Sequence, residues 1–103
     1  MSTKKSWYGI ADLEKRLGPM SVGLFIRSFR ESEGFSQTEY ARRLGLSRAN
    51  LCDLEKGRKL ATPERAAKLA RKIGVPEQAL VQLAIQDSLR AAKLDYRVEL
   101  KVA

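Results

Sequence analysis

The sequence predicts an all-α domain of five main helices, preceded by a short helix and followed by a single β-strand. Three observations carry this expectation. Apolar residues recur at helical spacing through most of the chain. Ser, Thr, Gly and Pro fall where helices should start and stop. From Leu94 onward the period changes to two, which is that of a half-buried strand. A chain of 103 residues is one domain by size, with enough buried surface for one modest core.

Residues 1–9 read as a loose arm carrying Trp7 and Tyr8. Ile10 to Leu17 make a short helix, with Ile10, Leu13 and Leu17 on one stripe and Gly18-Pro19 as its stop. The first main helix begins near Ser21. Val22, Phe25, Ile26 and Phe29 stand at i, i+3, i+4 and i+7, a core-facing stripe, and Gly34 ends it. Thr62, Pro63 and Glu64 supply a cap, a first-position proline and a first-turn acid for a later helix. Its inner face is Ala66, Leu69, Ala70 and Ile73, and Gly74 closes it. Pro76 opens the last helix, where Leu80, Leu83, Ala84 and Asp87 to Leu89 keep helical spacing until it fades near Ala92.

Between these lies the most informative stretch, Gln37 to Gly57. Ser36 caps the first of two short helices, and Glu39 completes a capping box. Tyr40, Ala41 and Leu44 share its inner face, with Ala41 small where crossing helices need close approach. Gly45 suits a left-handed helix end. Leu46 plugs the turn into the core. Ser47 caps the second helix through the N–H of Asn50. Leu51 and Leu54 are its inner face, and Gly57 ends it. Two short helices across a tight turn, the second exposed and polar, are the layout of a DNA-binding helix-turn-helix.

QTEYARRLGLSRANLCDLEKG resembles the helix-turn-helix of the Cro/repressor (XRE) family. The matching residues are Gln37, Ala41, Gly45, Leu51 and Leu54, with the closing Leu54, Glu55 and Gly57. With flanking helices the resemblance spans roughly residues 21–85. It implies a five-helix Cro/repressor-like (lambda repressor-like) DNA-binding domain with the motif at 37–57; that domain is expected at 21–92, between the arm and short helix at 1–20 and the strand at 93–103, both read from the residue pattern.

Lys and Arg outnumber Asp and Glu by 20 to 12, giving a net charge of +8 with no histidine. Such a balance favours an anionic partner such as nucleic acid. The excess is spread almost evenly along the chain, so charge does not locate the binding surface. A lone cysteine, Cys52, excludes an internal disulfide and a cysteine-rich zinc site. It sits on the flank of the second helix as a small apolar group. No apolar run is long enough to span a bilayer. Lys4 and Lys5 are followed by no apolar stretch, unlike a signal peptide. The expected setting is the cytoplasm, without a membrane, metal or cofactor.

The second helix, Arg48 to Lys56, is expected in the major groove. Arg48 fits guanine O6 and N7 with its planar fork, or a phosphate. Ala49 fits a thymine methyl. Asn50 fits adenine or a phosphate. Asp53 fits cytosine N4, or orients Arg48. Lys56, Arg58 and Lys59 follow the helix as phosphate clamps, and Arg42, Arg43 and Arg65 are secondary candidates. The family resemblance implies that Gln37 contacts the DNA backbone and braces the second helix. These phosphate contacts position the protein without reading sequence.

An enzyme is not expected. There is no imidazole base, Cys52 has no histidine partner, and no phosphate-binding glycine loop is present. The tail alternates Leu94, Tyr96, Val98, Leu100 and Val102 with Asp95, Arg97, Glu99 and Lys101. An unpaired strand needs a partner. A symmetry mate is the simpler one, pairing Tyr96, Val98, Leu100 and Val102 across a homodimer that reads two half-sites about 34–36 Å apart. The expected function is thus a sequence-specific regulator of double-stranded DNA, most simply a dimeric repressor of a palindromic operator. The family resemblance also implies an alternative: an antitoxin that binds a partner toxin and represses its own operon.

Overall fold

The computed structural model describes residues 19–103. It contains α1 (Val22–Ser32), α2 (Gln37–Leu44), α3 (Arg48–Glu55), α4 (Pro63–Ile73) and α5 (Glu77–Ala91). The expected arm at 1–9 and short helix at Ile10 to Leu17 lie outside the described residues.

Each helix forms where its caps place it. Ser36 Oγ accepts from the Glu39 N–H (3.1 Å) while the Glu39 carboxylate accepts from the Ser36 N–H (3.0 Å), a complete capping box. The Ser36 N–H also holds the Glu39 carboxyl below the usual carboxylate range. Gly45 is left-handed (φ 71), and the Leu46 N–H returns to the Ala41 carbonyl (2.8 Å). Ser47 Oγ accepts from the Asn50 N–H (3.0 Å) to start α3. Thr62 does the same for α4 through the Arg65 N–H (3.1 Å), with Pro63 in the first turn. Two cross-helix bonds were not expected from the sequence. Lys72 Nζ donates to the Leu44 carbonyl (3.0 Å), placing a cation at the C-terminus of α2. Asp87 of α5, buried to 6% exposure, accepts from the Val22 N–H (3.0 Å) at the start of α1. Burial pushes the Asp87 carboxyl up, against the pull of the Val22 N–H and of Arg90.

The stripes meet in one core. Ile26, Leu51 and Leu80 are fully buried, and Ala66, Ala70 and Ala84 let α4 and α5 pack closely. Burying such large aliphatic side chains contributes roughly 1.5–3 kcal/mol each. α1 lies against α3 and α5, and α2 bridges α3 and α4. The notable close approach is at Gly23, within α1. A Cβ there would sit 1.9 Å from the Leu54 carbonyl oxygen, so the backbones of α1 and α3 touch. Ala41 is buried as expected, but the sequence reading had not marked Gly23.

The expected C-terminal strand is corrected. Residues 94–103 form neither helix nor ladder. The reason is that side chains, not a strand, take their backbone bonds. Lys93 (φ 60) ends α5 in a left-handed turn, with N–H bonds from Lys93 to the Arg90 carbonyl (3.0 Å) and from Leu94 to the Leu89 carbonyl (2.9 Å). The chain then doubles back along α5. Gln86 donates to the Tyr96 carbonyl (2.7 Å) and accepts from the Val98 N–H (2.8 Å). Gln82 accepts from the Leu100 N–H (3.2 Å), and Gln78 donates to the Leu100 carbonyl (2.6 Å). Four helical residues rise about 6 Å. Two extended residues rise about 6.6 Å. Glutamines four apart therefore keep step with alternate tail residues. Of the expected pairing residues, Val98 and Leu100 are half-buried, while Tyr96 and Val102 are 68% and 88% exposed.

Candidate nucleic-acid interface

α3 is held from below and open above. Leu51 and Leu54 are buried, whereas Arg48 and Ala49 are exposed and Asn50, Cys52 and Asp53 are half-exposed. Its C-terminal end is fixed by one polar cluster. Glu55, whose side chain is only 3% exposed, accepts two bonds from Arg30 of α1 (Nε 2.8 Å, Nη2 3.1 Å). It also accepts one from Gln37 Nε2 (3.0 Å). Arg30 donates a further bond to the Phe35 carbonyl (2.8 Å). The paired carboxylate raises the pKa of the Arg30 guanidinium still further above neutrality. Three elements thus converge on one buried carboxylate, and fix the direction in which α3 points.

Gln37 therefore reaches the end of α3 through Glu55, a bracing geometry. Arg30 was missed by the sequence reading. The only sequence signal was a basic residue on a mixed helix that also carries Arg27, Ser28 and Glu31, 25 positions before its acid.

The structure brings the polar face of α3 together with the loop that follows. Arg58 Nη1 donates to Asp53 Oδ1 (3.1 Å), and Lys59 Nζ donates to Asn50 Oδ1 (3.1 Å). The loop backbone closes on the same residue, with the Arg58 N–H bonded to the Asp53 carbonyl (2.9 Å). Asp53 thus orients Arg58, not Arg48, which corrects one of the two expected roles. Arg48 has no bonded partner among the described residues and is free to reach outward. Lys56, Arg58 and Lys59 are all exposed. Arg43 lies over the Phe35 ring (4.6 Å to its centre), so its guanidinium is stacked within the α1–α2 region. Arg42 and Arg65 are exposed.

A short capped helix, braced at one end and polar on its open face, with cations at its exit, defines a helix-turn-helix. The model of the helix-turn-helix family, of the Cro/C1 type, matches residues 26–80, more than half of the chain. The chain belongs to this family (XRE), whose members are DNA-binding transcription regulators. No curated protein and no solved structure matches it significantly. Among the described residues, no helix is long and apolar enough to cross a membrane.

Proposed function

We propose that this protein is a dimeric repressor that occupies a palindromic operator in the cytoplasm, with α3 in the major groove. The observation that carries this is the braced, outward-facing α3 with Arg48 and Ala49 at its exposed N-terminal end. In this reading Arg48 bonds guanine O6 and N7, and Ala49 meets a thymine methyl. Asn50 and Asp53 exchange Lys59 and Arg58 for base edges, and the released cations turn to phosphate. Gln37, Lys56, Arg58, Lys59 and Arg43 position the protein on the backbone. Residues 21–92 are the DNA-binding unit, and 93–103 serve to bring two such units together.

A DNA-binding series across salt concentrations, on selected and random duplexes, tests the reading. Lys56→Ala weakens all sequences alike and flattens the salt slope by about one unit. Arg48→Ala costs about 1–3 kcal/mol and relaxes selectivity at one base position. Equal loss on selected and random DNA would remove the base-reading role of Arg48. Absence of any salt-dependent affinity for duplex DNA would remove the function itself.

A further inference from the structure

We propose that residues 95–101 of two copies pair as an antiparallel ribbon about a two-fold axis at Val98, each tail backed by its own α5. The inference rests on the dimeric reading above and fixes its register. The tail has two backbone edges. One edge, carrying the groups of Tyr96, Val98 and Leu100, is bonded to Gln78, Gln82 and Gln86. The other edge carries the N–H and C=O groups of Asp95, Arg97, Glu99 and Lys101, which have no bonded partner among the described residues. An extended edge of this kind is a template for another strand.

The side chains say which strand. A two-fold interface must be complementary to itself, with residue i facing j and j facing i. The exposed face reads Asp95, Arg97, Glu99, Lys101, alternating in sign. In the register centred on Val98, Arg97 faces Glu99 of the second copy and Asp95 faces Lys101, twice each. The neighbouring registers fail. Centring on Arg97 sets Arg97 against itself and Asp95 against Glu99. Centring on Glu99 sets Glu99 against itself and Arg97 against Lys101. Like charges directly opposite are destabilising. Shifts by one residue fail for another reason: they set free backbone groups opposite groups already bonded to α5. Backbone parity and side-chain charge therefore select the same register. In it Arg97 and Glu99 form hydrogen-bonded pairs, while Val98 meets Val98 in a close non-hydrogen-bonded pair, Cα atoms about 4.5 Å apart. Leu94 and Tyr96, exposed in the single chain, then face Val102 and Leu100 of the second copy.

The test is sedimentation equilibrium on the full chain with charge-exchange variants. Arg97→Glu and Glu99→Arg each put like charges opposite at two symmetric places, and each should weaken self-association about tenfold or more. The double exchange Arg97→Glu/Glu99→Arg should restore it, and mixing the two single variants should yield a heterodimer. In a Cys52→Ser background, Val98→Cys should oxidise to a covalent dimer, because that Cα separation suits a disulfide. A dimer whose affinity ignores all these changes overturns the ribbon and leaves the dimeric reading standing. A wild-type chain that stays monomeric at tens of micromolar, free and on DNA, overturns both.

Discussion

Gly23→Ala should destabilise the protein, against the usual rule for helices. In an exposed helix interior that change gains about 1 kcal/mol, because alanine is the better helix former. Here the new Cβ would lie 1.9 Å from the Leu54 carbonyl oxygen and 2.9 Å from its carbon. Carbon and oxygen in contact normally stand about 3.3–3.6 Å apart. α1 would have to retreat from α3 by more than an ångström, and both partners at the contact are backbone, so no side chain can swing aside. Overpacking of this kind costs about 1–3 kcal/mol and occasionally more. The separation also loosens Val22 and Ile26, which are buried at 1% and 0% exposure. Because neither backbone can swing aside, the overpacking cost falls at or above the top of that range, and the net loss after the propensity gain is about 2 kcal/mol or more. For a chain of this size that lowers Tm by roughly 10 °C or more. Urea titration followed by helical circular dichroism measures it, with exposed Arg27→Ala as a control that should move stability by no more than about 0.5 kcal/mol. DNA affinity should fall further than the folded fraction explains, because the displaced contact lies at the end of α3, the helix proposed to enter the groove. A Gly23→Ala variant as stable as the parent, or more so, would refute the close α1–α3 approach.

Two further outcomes follow from the buried polar groups. Arg30→Met leaves the Glu55 carboxylate buried with only Gln37, and should cost about 3 kcal/mol in chemical denaturation; Arg30→Met/Glu55→Met should recover much of that loss, because the uncompensated charge is gone. Tyr40 is 4% exposed, and burial pushes its phenol from the ordinary 10 up to about 12. The folded state thus favours the protonated phenol, so this contribution is complete below pH 10 and is lost as pH rises from 10 to about 12. By linkage it amounts to about 2–3 kcal/mol. The difference between the alkaline limbs of wild type and Tyr40→Phe isolates it; identical limbs would count against a buried phenol.

Much of this was legible in the sequence for a simple reason. Helix ends here are made by neighbours in sequence: Ser36 with Glu39, Ser47 with Asn50, and Thr62 with Arg65 each bond three residues on. The core stripes are equally local. What escaped notice joins distant residues. Asp87 caps α1 from 65 positions away, and Glu55 binds Arg30 from 25. Gly23 went unmarked because its partner, a backbone carbonyl, has no side-chain signature. The tail shows a different limit. Its period of two was read as a half-buried strand, but the tail forms no ladder, and the period does not name the partner. The first partner turned out to be a row of glutamines on α5, which looks like an ordinary polar helix face until the tail is laid on it.

The same contrast between fixed and exchangeable contacts explains how α3 can be rigid yet ready to bind. Its orientation rests on the buried Glu55 cluster, where losing one partner is costly. Its open face, the one proposed to read DNA, carries exposed contacts, Asp53 with Arg58 and Asn50 with Lys59. The Arg58 side chain is 59% exposed and that of Asp53 is 27%. Exposed ion pairs of this type are worth about 0–1 kcal/mol. Parting them in the proposed complex is therefore cheap, because the closely spaced phosphates of a duplex together offer each cation a stronger field than one carboxylate or amide. Before binding, the pairing also keeps the negative charge of Asp53 masked by its own cations, so that it repels an approaching backbone less. In the proposed complex, direction is thus set by the buried Glu55 cluster, and selection is left to exposed contacts that DNA can replace.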